Sequence, residues 1–180
     1  ELDNHMSTLH VENLKGLSSG GNANKVILSS DQTLYAPNHI VQVLTQEITA
    51  YTTTNSSSAV ATGFTLTITP KSTSSIIRCT VGFNGFYCNA TAAAASIYLY
   101  KNGSFHKYLD AVSGYANSSG QVHSSSNPTI MVTDSPSTTS AVTYAIFWKR
   151  NLGSGNVYMN NYATANNETR SWFTLEEIAQ

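Results

Sequence analysis

The sequence predicts an all-β protein, a jelly-roll-like antiparallel β-sandwich that follows an extended N-terminal arm. β-branched and aromatic residues dominate wherever apolar residues gather. No window of eleven residues after Met6 shows the i, i+3, i+4, i+7 apolar spacing of a capped helix. Short apolar segments recur along the chain, and clusters of Ser, Thr, Gly and Asn separate them. Eight or nine short strands at this spacing indicate a sandwich rather than a βαβ fold.

The domain organisation follows from where these segments lie. A chain of 180 residues is expected to hold one domain with an extension. Residues 1–6, ELDNHM, are expected to be a cloning remnant that ends in an initiator methionine. Residues 7–38 carry too few apolar residues for a core, which predicts an arm or stalk that packs against other copies of the chain. Residues 39–180 are predicted to form the sandwich head.

Nine strand segments are expected in the head. They are 40–51, 64–69, 75–83, 96–101, 104–109, 129–132, 141–149, 156–161 and 172–178. The clearest hairpin is Lys101–Ser104, because its Asn-Gly pair supplies the positive φ angles of a type I′ turn. In the segment 141–149 the bulkier of the two alternating sets is assigned to the core. That set comprises Val142, Tyr144, Ile146 and Trp148.

The segment FTLTITPKSTSSIIRCTVGF, residues 64–83, predicts two strands joined by a polar corner. Phe64, Leu66 and Ile68 share one apolar face. Pro70 ends the first strand, the Ser/Thr run forms the corner, and Ile76 begins the return strand. We therefore expect this segment to be part of the scaffold.

Two cysteines, Cys79 and Cys88, are too few for a disulfide framework or a structural zinc site. A two-residue hairpin at Asn84-Gly85 would make them diagonal neighbours on one face. In a reducing cytoplasm, two buried free thiols are favoured over a bridge.

The composition excludes two classes of partner. Only 11% of residues are charged, against about 25% in ordinary globular proteins, and 24 Ser, 22 Thr and 17 Asn supply the polar surface. A net charge of −1 offers no clustered cations for phosphates, so no nucleic acid partner is expected. Ser, Thr and Asn interrupt every long uncharged stretch, so no membrane insertion is expected. The residues after Met6 lack the basic and apolar regions of a signal peptide.

No catalytic or metal site is expected within one chain, and no cofactor is implied. The G-x-S-x-G pattern at residues 16–20 lacks the strand-to-helix elbow of a hydrolase nucleophile. Glu176 and Glu177 would point to opposite faces of a strand, which argues against paired catalytic carboxylates. The histidines after Met6 share no metal-ligand spacing. One exception stays open, because His10 or His39 on the axis of a trimer would supply three ligands.

The candidate ligand-binding residues lie in or beside the polar loops 113–127 and 162–171. Aromatic rings beside Asn and Ser can stack on a sugar face while amides bind its hydroxyl groups, which allows glycan binding without charge. The candidates are Tyr115, Asn117, His123, Tyr162 and Trp172. The alternative, that these rings cap the sandwich ends or fill a subunit interface, stays open.

Six segments in order carry a resemblance over nearly the whole chain after Met6. They are STLHVENLKG, NKVILSSDQTLYAPNHIVQVL, FTLTITPKSTSSIIRCTVGF, IYLYKNGS, SAVTYAIFWK and WFTLEEIAQ. In these segments the chain resembles small structural proteins of marine and other tailed bacteriophages, which are described as tail fibre or receptor-binding proteins. The most specific motifs are ITPKSTSSI, YKNGS and TLEEIAQ. The Trp172-Phe173 pair and the Ser-rich loop 113–127 depart from the pattern.

The resemblance implies a non-enzymatic virion protein. It implies a homotrimer whose arm contacts other virion proteins and whose head adsorbs to a glycan on the bacterial surface. The chain would be made in the host cytoplasm and released as part of the particle. Two alternatives stay open: a capsid or baseplate decoration or connector protein without a receptor, and a glycan-degrading tailspike enzyme.

Overall fold

The computed structural model describes residues 18–20, 34, 36–88, 90, 93–114, 127–160 and 169–180. The chain divides into two units, Glu1–Leu34 and Tyr35–Gln180. The arm and head boundaries that the sequence suggests, 7–38 and 39–180, stay a prediction. Within the described residues every regular element is a β-strand, and no helix that could span a membrane occurs there.

Eleven strands are present in the described part of the chain. They are β1 (Ile40–Ile48), β2 (Thr52–Thr54), β3 (Val60–Ile68), β4 (Ile76–Gly82), β5 (Tyr87–Cys88), β6 (Ala93–Lys101), β7 (Ser104–Gly114), β8 (Thr129–Asp134), β9 (Val142–Leu152), β10 (Val157–Met159) and β11 (Ser171–Ile178). Each of the nine predicted segments overlaps one of them, with several strands extending beyond the predicted bounds, and β2 and β5 were not predicted. The all-β fold class is therefore confirmed.

The eight long strands form two four-stranded antiparallel sheets. The first sheet has the order β1-β11-β4-β8, and the second has the order β3-β9-β6-β7. The chain crosses repeatedly between the two sheets, so that most neighbouring strands are distant in sequence. This is the strand order of an eight-stranded jelly roll. A small third sheet, β2-β10-β5, adds three short strands.

The core lies between the two large sheets and contains a row of aromatic rings. Phe173 of β11 contacts Phe64 of β3, Phe64 contacts Phe83, Phe83 contacts Phe86, and Phe86 contacts Trp148 of β9, with ring centroids 5.2–6.2 Å apart. All five rings are at most 1% exposed. Since burying one aromatic ring contributes about 1.5–3 kcal/mol, this row holds the first sheet against the second.

Two local predictions are confirmed by these strands. The predicted inward set of β9 is buried, with Trp148 and Tyr144 fully enclosed. Asn102 and Gly103 have φ angles of 50° and 79°, as a type I′ turn between β6 and β7 requires. Both features depend on a few neighbouring residues, which is why the sequence alone predicts them.

The corner of the segment 64–83 connects the two sheets and does not form a hairpin. β3 pairs with β9 in the second sheet, whereas β4 pairs with β11 and β8 in the first. The side chain of Glu177, fully buried on β11, holds this corner. Its Oε1 accepts hydrogen bonds from the Lys71 amide and from Ser75 Oγ, both at 2.6 Å. Its Oε2 accepts one from Gln42 Nε2 at 2.6 Å, so a single carboxyl group joins β1, β11 and the corner.

The predicted orientations of Glu176 and Glu177 are confirmed. Glu177 faces the interior, while Glu176 lies on the outer face of the first sheet and pairs with Arg78 at 2.5 Å. The Arg78 side chain is 32% exposed, as expected for a surface ion pair. The two neighbouring carboxyl groups therefore have different structural roles.

The hairpin considered at Asn84-Gly85 is wrong. β4 ends at Gly82 and belongs to the first sheet, whereas β5 pairs with β10 in the small sheet. Cys79 and Cys88 are not cross-strand neighbours, and both are buried free thiols. The favoured prediction of two free thiols is confirmed.

Both thiols are expected to be unreactive in the folded protein. Burial, with a smaller contribution from the Asp134 charge, raises the pKa of the Cys79 thiol to about 12. Burial raises the pKa of the Cys88 thiol to about 11. Since the thiolate is the reactive form, Ellman's reagent at pH 8 should label neither cysteine within an hour and both in guanidinium chloride. Rapid labelling of the native protein would contradict this burial.

Candidate functional site

Four of the five residues predicted to bind a ligand, Tyr115, Asn117, His123 and Tyr162, lie outside the described residues. The fifth, Trp172, lies on the outer face of the first sheet near the beginning of β11. The structure therefore tests the predicted site only at Trp172 and at the residues that border the two loops.

Trp172 packs against the backbone of the neighbouring strand. It is paired with Gly82 of β4, and a Cβ atom placed on Gly82 would lie 2.4 Å from Cε2 of the indole ring. Since real Cβ atoms do not approach so closely, any larger residue at position 82 would displace the indole ring from this position. On its other side Trp172 is paired with Glu47, which forms an exposed ion pair with Arg170 at 3.0 Å. The indole remains partly exposed.

The residues that border the two predicted loops meet at the turn after β4. Asn127 Oδ1, at the end of the first loop, accepts a hydrogen bond from the amide of Gly85 at 3.0 Å. The carbonyl of Arg170, at the end of the second loop, accepts one from the Asn84 side chain. The Asn160 amide, at the beginning of the second loop, donates to the Asn84 carbonyl at 2.8 Å. Chain segments bordering both loops are therefore joined at one end of the sandwich.

Asn160 fixes the backbone at this end. It is fully buried and has a φ angle of 58°, a left-handed conformation that asparagine tolerates better than most residues. Its Nδ2 donates to the carbonyls of Ile48 at 2.7 Å and Ala50 at 3.1 Å, and its Oδ1 accepts from Ser171 Oγ at 2.6 Å. The end of β1, the end of β10 and the beginning of β11 are thereby held together.

Three tyrosine rings form a cluster beside this anchor, here called the tyrosine cluster. Tyr158 of β10 stacks on Tyr87 of β5 with ring centroids 4.5 Å apart and an interplanar angle of 9°. Tyr51, between β1 and β2, lies on Tyr158 with centroids 5.7 Å apart. Tyr158 is 7% exposed, whereas Tyr51 is 48% exposed. The cluster therefore has one exposed ring, that of Tyr51, in contact with two packed rings.

The hydroxyl groups of Tyr51 and Tyr87 remain protonated at neutral pH. Burial raises the pKa of Tyr51 above its usual value, and the charge and hydrogen bonding of Tyr158 raise it further. Burial, followed by the neighbouring Tyr158 and Tyr51, also raises the pKa of Tyr87. Asn156 Nδ2 donates to the Tyr158 hydroxyl at 3.2 Å. The cluster therefore combines apolar ring surface with neutral hydroxyl and amide groups.

Sequence reasoning did not select Tyr51, Tyr87 or Tyr158. Tyr87 lies between Phe86 and Cys88 and Tyr158 between Val157 and Met159, so neither shows the polar-loop position by which Tyr115 and Tyr162 were selected. The stacking of Tyr87 and Tyr158 depends on the small sheet, whose strands come from three distant parts of the chain. Only that long-range pairing brings the three rings together.

A second polar group, here called the Asp134 cluster, links the edges of the two large sheets. Asp134 Oδ2 accepts hydrogen bonds from Lys101 Nζ at 2.7 Å and from the Tyr144 hydroxyl at 2.6 Å. His106 Nε2 lies 3.0 Å from Asp134 Oδ1 but without the geometry of a hydrogen bond. The neighbouring Lys107 donates to the carbonyl of Thr133. These contacts connect β8 to the beginning of β7, the end of β6 and the beginning of β9.

The sequence did not predict that His106 and Asp134 would meet. A histidine beside an aspartate supplies two members of a Ser-His-Asp catalytic set. In the structure, Lys101 and Tyr144 contact the same carboxyl group, and neither is the serine that such a set requires. The described contacts make this cluster a cross-link between the sheets.

Comparisons with known proteins add little to this description. No protein-family model and no curated protein matches the chain. A chain in a solved structure titled "Structure of infectious bursal disease virus Gx strain" matches with a TM-score of 0.32 and 9% identity. The match covers 86% of the present chain and 42% of the viral one, so the present chain spans less than half of the viral chain. Agreement at this level does not indicate a common function.

Proposed function

We propose that this chain is a non-enzymatic structural protein of a virion, a trimeric tail fibre or receptor-binding head that adsorbs to a bacterial surface glycan. The resemblance of its ordered sequence motifs to tailed-phage structural proteins supports this proposal. The jelly roll is compatible with it, because this fold occurs in viral capsid and lectin domains. Since a fold by itself does not imply a function, the chemistry of the site must support the assignment.

The tyrosine cluster is the observation that carries the proposal. An exposed ring can stack on the C–H face of a sugar, and neutral hydroxyl groups can exchange hydrogen bonds with sugar hydroxyls. The contact of the exposed Tyr51 ring with Tyr158, which itself stacks on Tyr87, reduces the ring mobility that binding would otherwise have to remove. A site of this kind suits a glycan better than a phosphorylated or strongly charged ligand.

The position of the cluster agrees with the loops that the sequence selected. Asn160, which borders the loop of Tyr162, holds the segment that leads into Tyr51. Asn127, which borders the loop of Tyr115, Asn117 and His123, bonds to the turn that Asn160 also contacts. We propose that both loops contribute to glycan binding, as the sequence predicts.

Replacing Tyr51 with alanine is expected to weaken glycan binding about tenfold, because the exposed ring is lost. Tyr51→Phe keeps the ring and should cause a smaller loss. A glycan array probed with the purified protein, followed by calorimetry with the best glycan, measures both effects. Val43→Ala is the matched control, because Val43 is 53% exposed and lies on β1 outside the cluster.

Equal binding of every glycan by the wild-type protein and Tyr51→Ala would remove the tyrosine cluster from the site. Light scattering on the same samples checks the proposed assembly, for which the mass should be three times the 19.4 kDa of one chain. A monomer would contradict the trimer while leaving the glycan measurement intact.

A further inference from the structure

The outer face of the second sheet carries five aromatic rings, here called the aromatic face. They belong to Tyr98 and Tyr100 of β6, Phe105 and Tyr108 of β7, and Phe147 of β9. Phe105 is 59% exposed and Tyr108 is 52% exposed, while the other three rings are partly exposed. This face is separate from the tyrosine cluster, which belongs to the end of β1 and the small sheet.

One irregularity in β7 places Phe105 and Tyr108 on the same side of the sheet. In regular alternation, residues three apart point to opposite faces of a sheet. The register between β6 and β7 shifts between the pairs Leu99–Lys107 and Tyr100–Phe105, so that Phe105 lies opposite Tyr100 while Tyr108 lies opposite Tyr98. β-Bulges re-aim side chains and are often found beside functional sites. The two exposed rings therefore share one face because β7 is bulged once between them.

The rings beneath the exposed pair form a packed support. Tyr98 makes edge-to-face contacts with Phe105 at 6.0 Å and Tyr108 at 5.6 Å, measured between ring centroids. Tyr100 makes an edge-to-face contact with Phe105 at 6.2 Å and stacks on Phe147 at 3.9 Å. Since both exposed rings border Tyr98, one short ligand can contact both of them.

The surroundings of the aromatic face are polar with little charge. Lys149 Nζ lies 5.8 Å from the centroid of the Tyr98 ring, within range of a cation–π contact. On the same outer face, the hydroxyl groups of Thr67 and Thr143 lie 2.8 Å apart and form a hydrogen bond. Ring surface beside hydroxyl groups suits an uncharged ligand that is itself rich in hydroxyl groups.

The exposed area argues against a second copy of the chain as the occupant. An aromatic side chain buries roughly 150–250 Å², so the exposed parts of Phe105 and Tyr108 provide on the order of 200 Å². A standard protein interface buries about 800 Å² on each partner. The exposed pair is too small to form the centre of a stable dimer by itself, but it is large enough to cover one or two sugar rings.

We infer that the aromatic face is a second saccharide-binding site, which takes a neutral pyranose chain through Phe105 and Tyr108. This inference goes beyond the proposed function, because the site needs neither the tyrosine cluster nor the two loops. Two separate sites on one head would let it contact a repeating polysaccharide at two points, which increases avidity.

The test compares three variants on an array of neutral and anionic saccharides, followed by calorimetry. Phe105→Ala/Tyr108→Ala should bind neutral saccharides about tenfold more weakly than the wild type, whereas Phe105→Tyr/Tyr108→Phe should bind normally. Val43→Ala/Met131→Ala is the matched control, because these residues are 53% and 61% exposed on the first sheet. All four side chains are exposed, so folding should be retained, and circular dichroism checks this.

The outcomes separate this inference from the proposed function. Weaker binding by Phe105→Ala/Tyr108→Ala, with residual binding that depends on Tyr51, supports two sites. Unchanged binding by this variant overturns the inference even if Tyr51→Ala loses binding, and the proposed function then stands alone. A lower mass of the variant in light scattering, without a change in binding, overturns it in favour of a second copy. Binding of anionic saccharides alone, or of no saccharide at all, also overturns it.

Discussion

Replacing Glu177 with alanine is expected to lower the free energy of unfolding by about 3–5 kcal/mol, because the buried Ser75 hydroxyl and the partly buried donors of Lys71 and Gln42 lose their common acceptor. Glu177 is fully buried, and its carboxyl group accepts hydrogen bonds from Lys71, Ser75 and Gln42. Neither a methyl group nor a water molecule in the small space left behind reproduces all three bonds. Urea unfolding followed by circular dichroism measures the change.

Glu177→Gln provides an internal comparison. The bonds from Lys71 and Ser75 both end on Oε1, which an amide oxygen can replace, whereas the bond from Gln42 ends on Oε2. The glutamine variant should therefore lose about 1–3 kcal/mol of its free energy of unfolding, which is less than the alanine variant loses.

The neighbouring Glu176→Ala is the matched control. It removes a surface ion pair with Arg78, which should contribute no more than about 1 kcal/mol. If Glu176→Ala and Glu177→Ala destabilise the protein equally, the corner does not depend on the buried carboxyl group.

Replacing Asp134 with alanine is expected to lower the free energy of unfolding by about 2–4 kcal/mol, because Lys101 and Tyr144 lose their common acceptor. The Tyr144 hydroxyl lies in the core, where an unsatisfied donor is costly, whereas Lys101 can turn to solvent. Tyr144→Phe removes one of these bonds and keeps the ring, so it should cost about half as much. Urea unfolding at pH 7 measures both variants.

The contribution of Asp134 to the free energy of unfolding should depend on pH. Burial by itself would raise the pKa of Asp134, but the hydrogen bonds from Lys101 and Tyr144 and the charges of Lys101 and His106 outweigh it and lower the pKa. A carboxyl group whose pKa is lower in the folded state stabilises the protein fully above its unfolded pKa of about 3.9. That stabilisation is lost as the pH falls through the folded pKa.

The stability difference between wild type and Asp134→Ala should therefore be present at pH 5 and decrease below about pH 4. Urea unfolding at intervals of half a pH unit measures this difference. A difference that stays the same down to pH 2 would show that the Asp134 carboxyl group does not interact more strongly in its ionised form.

Parts of the fold were predictable because they depend on neighbouring residues. The inward set of β9 follows from alternation, and the β6-β7 turn follows from its Asn-Gly pair. The bulge of β7 between Phe105 and Tyr108 was not predictable, because simple alternation places these two residues on opposite faces. For the same reason, the sequence analysis could not identify the aromatic face.

The candidate site also depends on strand pairing that the sequence does not predict. Trp172 was selected from its place beside a polar loop, but its packing on Gly82 depends on the pairing of β11 with β4. Tyr51, Tyr87 and Tyr158 each appear ordinary in the sequence. They become a candidate site only when the small sheet brings β2, β10 and β5 together.

The sequence by itself determined that the chain is all-β, where most strands lie and which side of β9 faces the core. These properties are set by residues within one strand or one turn. The tertiary structure decided how the strands pair and which polar groups meet, as in the bond between Ser75 and Glu177 across 102 positions of sequence. Such contacts depend on the whole topology, because no local pattern of residues specifies which distant carboxyl group will accept a given donor.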